Sequence, residues 1–262
     1  AFVLGLDLVP RRPVVNPGPY LNRQYGFAAM TPMQIWEVLQ EKRGNKKLEQ
    51  VDKLIIGGGP VSPLLEKRLK PLGNLIWHTF GMTETLTHIA LRRINGEHAS
   101  GWFTPLPGVT IRKGKGNVLE INAPAVCETT VRTDDIAEFD KEGRFRILGR
   151  RDNVINTGGL KVSPERIEQL FSELIPYSYF IAGWPDDQLG EQIVLFIESR
   201  ESDQNLINKL VAFKDNSEER KVLPRAICFV PEILRTSAGK FRRKETVEYY
   251  ISHPGKSMWQ EI

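Results

Sequence analysis

The segment from Lys53 to Leu69 constrains the fold most. A β-branched run, Lys53 to Ile56, ends in Gly57-Gly58-Gly59-Pro60, and Ser62-Pro63 follows as an N-cap and first-turn proline opening a helix through Leu69. A strand, glycine turn and helix in that order is an α/β unit. Leu75 to Phe80 predicts the next strand, leading into Gly81-Met82-Thr83-Glu84-Thr85, with Leu86 to Ile94 as a further extended segment. Upstream, the first 50 residues read as irregular apart from a helix over Pro32 to Glu41, because Pro10, Pro13, Pro17 and Pro19 break any periodicity.

After Gly101 the pattern changes to short alternating strands, including Ile136 to Asp140 and Arg144 to Leu148 around a Lys141-Glu142-Gly143 turn, which predicts a small antiparallel β subdomain over about 101–148. Beyond Gly149, Ser163-Pro164 is expected to cap a helix with Ile167, Leu170, Phe171 and Leu174 on one face. Strands at Tyr179 to Ala182 and Gln192 to Glu198, a helix near Asn205 to Phe213 and a strand at Ala226 to Val230 complete the reading. The expected division is therefore 1–150 as one unit and 151–262 as a smaller α+β unit.

Composition removes several classes. With 262 residues, 40% hydrophobic and 26% charged, the chain can bury a core unaided. Cys127 and Cys228 stand far apart without metal-ligand spacing, so neither a zinc site nor a disulfide framework is expected and a reducing cytoplasm is the default. No run approaches the roughly 20 apolar residues of a membrane span. A net charge of +4 does not point to nucleic acid, and the chain lacks both an aromatic RNA-binding sheet motif and a DNA-reading helix. The sequence starts within a hydrophobic run, at Ala1, as though preceded by further residues.

Two phosphate-loop readings fail: Gly114-Lys115-Gly116 has Leu119 where the third glycine of a dinucleotide fingerprint belongs, and before Ser237-Ala238-Gly239-Lys240 the leading glycine of a P-loop is Leu234, with Phe241 in place of Ser/Thr. Four other segments matter together. Gly57 to Pro60 with Thr79-Phe80-Gly81-Met82-Thr83-Glu84-Thr85 offers bare backbone, a flat ring for a base, and a hydroxyl and carboxylate for phosphate and Mg²⁺; alone, the glycines read equally well as a tight turn. Thr133-Asp134-Asp135 offers a carboxylate to a ribose diol, although an Asp pair in a turn is commonly just solvated. Gly149-Arg150-Arg151-Asp152 through Gly158-Gly159-Leu160-Lys161 suits a hinge that admits a ligand backbone. Arg235 to Lys244 holds five basic residues, which taken singly form a solvated basic face.

In this order and spacing, with Asp152 and Lys240 88 residues apart, the segments resemble the adenylate-forming superfamily of acyl-CoA synthetases, luciferases and peptide-synthetase adenylation domains. The resemblance covers nearly the whole chain from about Gly26. Within the superfamily, Phe27 to Gln34 and Gly81 to Leu91 are similar to the o-succinylbenzoate–CoA ligases of menaquinone synthesis.

The resemblance implies the C-terminal part of a large α/β domain with a β-barrel-like subdomain, followed by a small mobile α+β domain. It implies an ATP-dependent, AMP-forming ligase that joins a carboxylic acid to coenzyme A, with Mg²⁺ bound at Glu84. Thr83 would lie near the phosphate, and Phe80 would stack on adenine beside Gly58, Gly59, Pro60 and Gly81. Asp135 would hold the ribose with Arg150 close by, and Asp152 would be the hinge. Lys240 would be the mobile catalytic lysine, and Gly158 and Gly159 would line the pantetheine path. Thr87 and His88 are the candidates for the acid pocket. Asp134 departs from the family's glycine and Leu234 from its proline. The family's Ser/Thr/Gly-rich phosphate loop would fall before Ala1, so the expectation is either a piece of a longer enzyme or a chain without part of the ATP site; other acyl-CoA synthetases and a non-catalytic remnant are the alternatives.

Overall fold

The computed structural model describes residues 7–9, 14–236 and 239–262. Three sheets organise the chain. The first has the order β1-β2-β3-β4-β5 and contains β1 (Tyr25–Met30), β2 (Val51–Ile56), β3 (Leu75–Gly81), β4 (His88–Arg93) and β5 (Thr104–Pro105). The first three strands run parallel and the last two antiparallel. Helices α1 (Pro32–Gln40), α2 (Gly44–Leu48) and α3 (Pro63–Leu69) supply the crossovers that parallel pairing demands. Their buried Ile35, Val38, Leu39, Leu48, Leu65 and Leu69 meet Val51, Leu54 and Ile56 of β2 in one core.

Both predicted helix starts in this part are present. Ser62 Oγ accepts from Leu65 N at 3.2 Å, with Pro63 in the first turn. At α1, Thr31 and Gln34 form a reciprocal capping box, Gln34 N to Thr31 Oγ1 at 3.2 Å and Thr31 N to Gln34 Oε1 at 2.9 Å. The irregular reading of the first 50 residues needs correction: Tyr25–Met30 is a strand and Gly44–Leu48 a short helix. The strand's Gly-Phe-Ala-Ala sequence carries little strand propensity, and parallel pairing with β2 decides its conformation.

A four-stranded antiparallel sheet follows: β6 (Thr110–Lys113), β7 (Val118–Asn122), β8 (Val131–Phe139) and β9 (Phe145–Arg150). Its apolar face packs on the end of the first sheet through Phe80, Met82, Ile89 and Ala90 against Ala137, Phe145 and Ile147. The third sheet contains β10 (Ile155–Thr157), β11 (Leu160–Val162), β12 (Tyr179–Asp186), β13 (Gly190–Glu198), β14 (Ala226–Val230) and β15 (Met258–Glu261). Around it lie α4 (Pro164–Phe171), α5 (Gln204–Asp215) and α6 (Arg243–Ser252). Two details of α4 differ from expectation. Ser163 makes no cap bond, because its hydroxyl donates to Leu148 O or Glu165 instead, and Leu170 faces outward while Ile167 and Phe171 are buried. Among the described residues, no helix is long and apolar enough to cross a membrane.

Candidate functional site

The glycine turn after β2 is built from both sides. Gly57 N donates to Met30 O at 3.1 Å, and β-carbons placed on Gly58 and Gly59 would lie 3.6 Å from Thr31 and 3.9 Å from Pro32. A histidine that sequence reading passed over reaches the same turn: His78 Nε2 is 3.1 Å from Gly59 O. Arg92 Nε donates to His78 Nδ1 at 3.1 Å, so Nδ1 accepts and Nε2–H donates. Burial, together with the Arg92 charge, pushes His78 down to about 4. The unfolded chain protonates this ring near 6.5, so between about pH 4 and 6.5 the unfolded state binds more protons. Stability is therefore expected to fall by up to about 3 kcal/mol as pH drops through that window and to level off below it. Urea unfolding at pH 7 and pH 4.5 checks this; wild type and His78→Phe losing equal stability would exclude His78 as the source.

The Gly-Met-Thr-Glu segment forms the turn between β3 and β4. Gly81 pairs with His88 so closely that a β-carbon would sit 2.4 Å from Thr87 O, which leaves glycine as the residue that fits. The buried Thr85 organises the turn: its Oγ1 accepts from Met82 N at 3.1 Å and lies 3.1 and 3.0 Å from the carbonyls of Met82 and Thr87. Thr83 and Glu84 are thereby left exposed at the tip. Phe80 is half-buried against Phe103 and Phe145, ring centroids 5.9 and 5.2 Å away. Thr87 Oγ1 and His88 Nδ1 are 3.2 Å apart at the start of β4.

The strand expected from Leu86 begins only at His88. Leu86 instead has φ 61° and ψ −42°, bracketed by a Thr87 N to Thr85 O bond of 2.6 Å, a strained γ-turn with an exposed side chain. Leu86→Gly is expected to raise stability by about 1 kcal/mol, strain relief exceeding the entropic cost of glycine. A lowered urea midpoint would contradict that.

Glu84 has no hydrogen-bond or ion-pair partner among the described residues, and no group of three or more His, Cys, Asp or Glu side chains forms a metal cage among them. One carboxylate suits Mg²⁺, which takes one or two carboxylates and completes its shell with substrate phosphates and water.

On β8 and β9, Asp135 and Arg150 are cross-strand partners. Arg150 grips Asp152 with two bonds of 2.9 and 2.7 Å and reaches Asp135 at 3.4 Å. Arg151 takes Asp134 at 2.5 Å. Asp135 N donates to Thr133 Oγ1 at 3.0 Å, fixing the strand at this point. Burial raises the Asp135 carboxyl above the ordinary aspartate range, with Arg150 working against it. The hydrogen bonds from Arg150 hold Asp152 below that range. One guanidinium therefore spans the proposed ribose carboxylate and the proposed hinge.

Gly158 and Gly159 make the two-residue turn of the β10–β11 hairpin, with φ of +55° and +82° as a type I′ turn requires. A side chain at Gly159 would meet nothing within 4 Å, so the backbone there is open. The last motif is a hairpin-like loop, Thr236 N to Lys240 O at 2.8 Å, with Arg235 bridging to Phe241; Ser237 and Ala238 lie outside the described residues. Of its five basic residues, Lys240, Arg242 and Lys244 are exposed, while Arg235 and Arg243 are drawn in to carboxylates. Arg235 is held by Glu198 through 2.7 and 2.6 Å bonds, and Arg243 by Glu168, including one bond of 2.9 Å. Arg242 pairs with Glu245 at 2.9 Å and Lys244 with Glu248 at 3.9 Å. Lys240 alone of the five has no acidic partner among the described residues. A β-carbon on the neighbouring Gly239 would lie 3.1 Å from Met33 Sδ, which sets this loop against the start of α1, where Thr31 and Pro32 border the glycine turn.

No family profile matches the chain. It is 29% identical to the 2-succinylbenzoate–CoA ligase of Lactococcus lactis subsp. lactis over 73% of its own length and 46% of that protein's. An AMP-forming acyl-CoA synthetase/AMP-acid ligase II-like protein from Dyadobacter fermentans shares 28% identity at a TM-score of 0.53, covering 91% of this chain and 69% of that one. ATP-bound MatB from Rhodopseudomonas palustris, at 20% identity, superposes with a TM-score of 0.72 over 90% of this chain and 53% of its own. The chain spans about half the length of the curated relatives it matches. It is a relative of the 2-succinylbenzoate–CoA ligases and other AMP-forming CoA ligases, and its fold is that of the adenylate-forming superfamily.

Proposed function

We propose that this chain carries the adenylate-handling part of an ATP-dependent, AMP-forming acid–CoA ligase, with o-succinylbenzoate as the acid. The observation that carries the reading is the loop of Lys240, the one of the five basic residues between Arg235 and Lys244 without an acidic partner among the described residues, lying at Met33 beside the Gly57–Pro60 turn. The acid is suggested by the 2-succinylbenzoate–CoA ligases among the relatives.

A carboxylate resists nucleophiles because of its charge and its poor leaving group; transfer to the α-phosphorus of ATP forms an acyl-AMP anhydride and expels pyrophosphate. Gly58, Gly59, Pro60, Phe80 and Gly81 border adenine, and Asp135 accepts from the ribose hydroxyls with Arg150 beside it. Thr83 donates to the phosphate. Lys240 brings its ammonium to the charge that develops as the acid oxygen attacks. Glu84 would hold Mg²⁺, which when bound would supply further positive charge there. Thr87 and His88 receive the second carboxylate of o-succinylbenzoate. Residues 151–262 then turn about Asp152, which withdraws Lys240 and presents Gly158 and Gly159 to the pantetheine of CoA, whose thiol attacks the anhydride and releases AMP. Titration of AMP into the folded chain tests the reading, with a saturable heat expected and no detectable binding against it.

A further inference from the structure

The three glycines of the nucleotide turn have no side chains to fix them, so their conformation must be held by neighbours. One end is held by the Gly57 N to Met30 O bond. The other is held at Gly59 O by His78, whose ring is only 8% exposed and sits 5.1 Å from the Phe103 ring. Behind it Arg92, 9% exposed, donates to His78 Nδ1, to Ser100 O at 3.3 Å and to Glu66 Oε2 at 2.8 Å. Glu66 also meets Lys70 at 3.8 Å. A continuous path of polar contacts thus runs from α3 through β4 and β3 to the turn, and its polarity has one direction: a guanidinium that can only donate forces the imidazole to accept on Nδ1 and donate from Nε2.

We propose that His78 is a positioning residue, a neutral Nε2–H donor that pins the Gly59 carbonyl and so presets the Gly57–Pro60 turn for the nucleotide. The proposal rests on the ligase reading for what the turn binds, and on geometry alone for what holds the turn. A second proton on Nδ1 would face the Arg92 guanidinium, with Glu66 engaged beyond it, so acidification breaks the Arg92 contact that orients the ring. His78→Phe keeps a ring in the core but removes the donor, whereas His78→Gln retains an amide N–H near the Nε2 position and an oxygen for Arg92.

Three measurements on the full chain decide it. In ¹⁵N-histidine-labelled protein at pH 6, one-bond coupling is expected at Nε2 of His78 and not at Nδ1; the opposite tautomer overturns the proposal. Backbone ¹⁵N relaxation should report Gly58 and Gly59 as ordered in wild type and His78→Gln, with order parameters near 0.85, and below about 0.6 in His78→Phe. AMP affinity by calorimetry should fall about fivefold or more in His78→Phe and recover to within about twofold in His78→Gln, the scale of one hydrogen bond. Unchanged order of the turn in His78→Phe, or order lost equally through all of β2 and β3, overturns the role. Absence of AMP binding in wild type counts against the ligase reading, and the relaxation data still decide the role of His78.

Discussion

Lys240→Ala is expected to slow formation of the acyl-adenylate from acid and ATP by about 10² to 10³-fold, the loss typical of one preorganised charge contact in a transition state. The two partly buried guanidinium groups beside the loop cannot substitute. Arg235 and Arg243 are committed to Glu198 and Glu168 with bidentate geometry, whereas Arg242 and Lys244 make only exposed surface pairs with Glu245 and Glu248. Thioester formation from supplied acyl-AMP should be nearly unaffected, because the proposed cycle withdraws Lys240 in that half-reaction. Pyrophosphate release and acyl-CoA formation, measured separately, check the division, and equal losses in both would refute it. Lys240→Arg tests geometry as well as charge, since a planar fork replaces a compact ammonium.

The second large effect is on folding. Glu168→Ala is expected to cost about 3 kcal/mol, the lower end of the range for breaking a buried ion pair, because both side chains keep about a fifth of their surface exposed, 19% for Glu168 and 20% for Arg243. The loss exceeds one contact. Glu168 Oε1 also accepts from Ile181 N at 2.7 Å, and Arg243 donates to Ile181 O at 2.9 Å, so the pair ties α4 and α6 to β12. Arg243 lies over Phe180 and begins the helix three residues after Lys240, so losing its carboxylate partner also loosens one stem of the Lys240 loop. Urea unfolding should place Glu168→Gln between wild type and Glu168→Ala. A cost below about 1 kcal/mol for Glu168→Ala would mean that the pair is no more than a surface contact.

What sequence reading reached was local. The run Ala226 to Val230 is buried at every position and is a strand over those same residues; Ser62 caps α3 because the side chain and its target are three residues apart. The four-stranded sheet followed from alternation punctuated by glycine. What it missed depends on partners distant in sequence. Strand β1 needs β2, and the edge strand β15 is exposed along its length and carries no buried pattern. His78 is 19 residues from Gly59 and 14 from Arg92, so a lone histidine in a strand gave no sign of contacting the glycine turn. Glu168 and Arg243 are separated by 75 residues, so the basic run gave no sign that one of its guanidinium groups is anchored in the fold. Ser163 had the right residue type for a cap, but the carbonyl of Leu148 and the carboxylate of Glu165 compete for its hydroxyl.

The glycine turn, the end of β3 and the Asp135–Arg150 pair are proposed to form one adenosine site. Asp135 is its sharpest probe, since it is held by Thr133 and Arg150 and its carboxylate has one proposed ligand, the ribose diol. Hydrogen bonds to a charged group contribute about 1.5 to 3 kcal/mol, so Asp135→Ala should weaken AMP binding by roughly 10-fold to 100-fold. Calorimetric titration of AMP into the folded wild-type chain and into folded Asp135→Ala is the direct measurement. One saturable site, weakened by that factor in the variant, is the predicted result; no binding by wild type, or equal binding by both, would contradict the account.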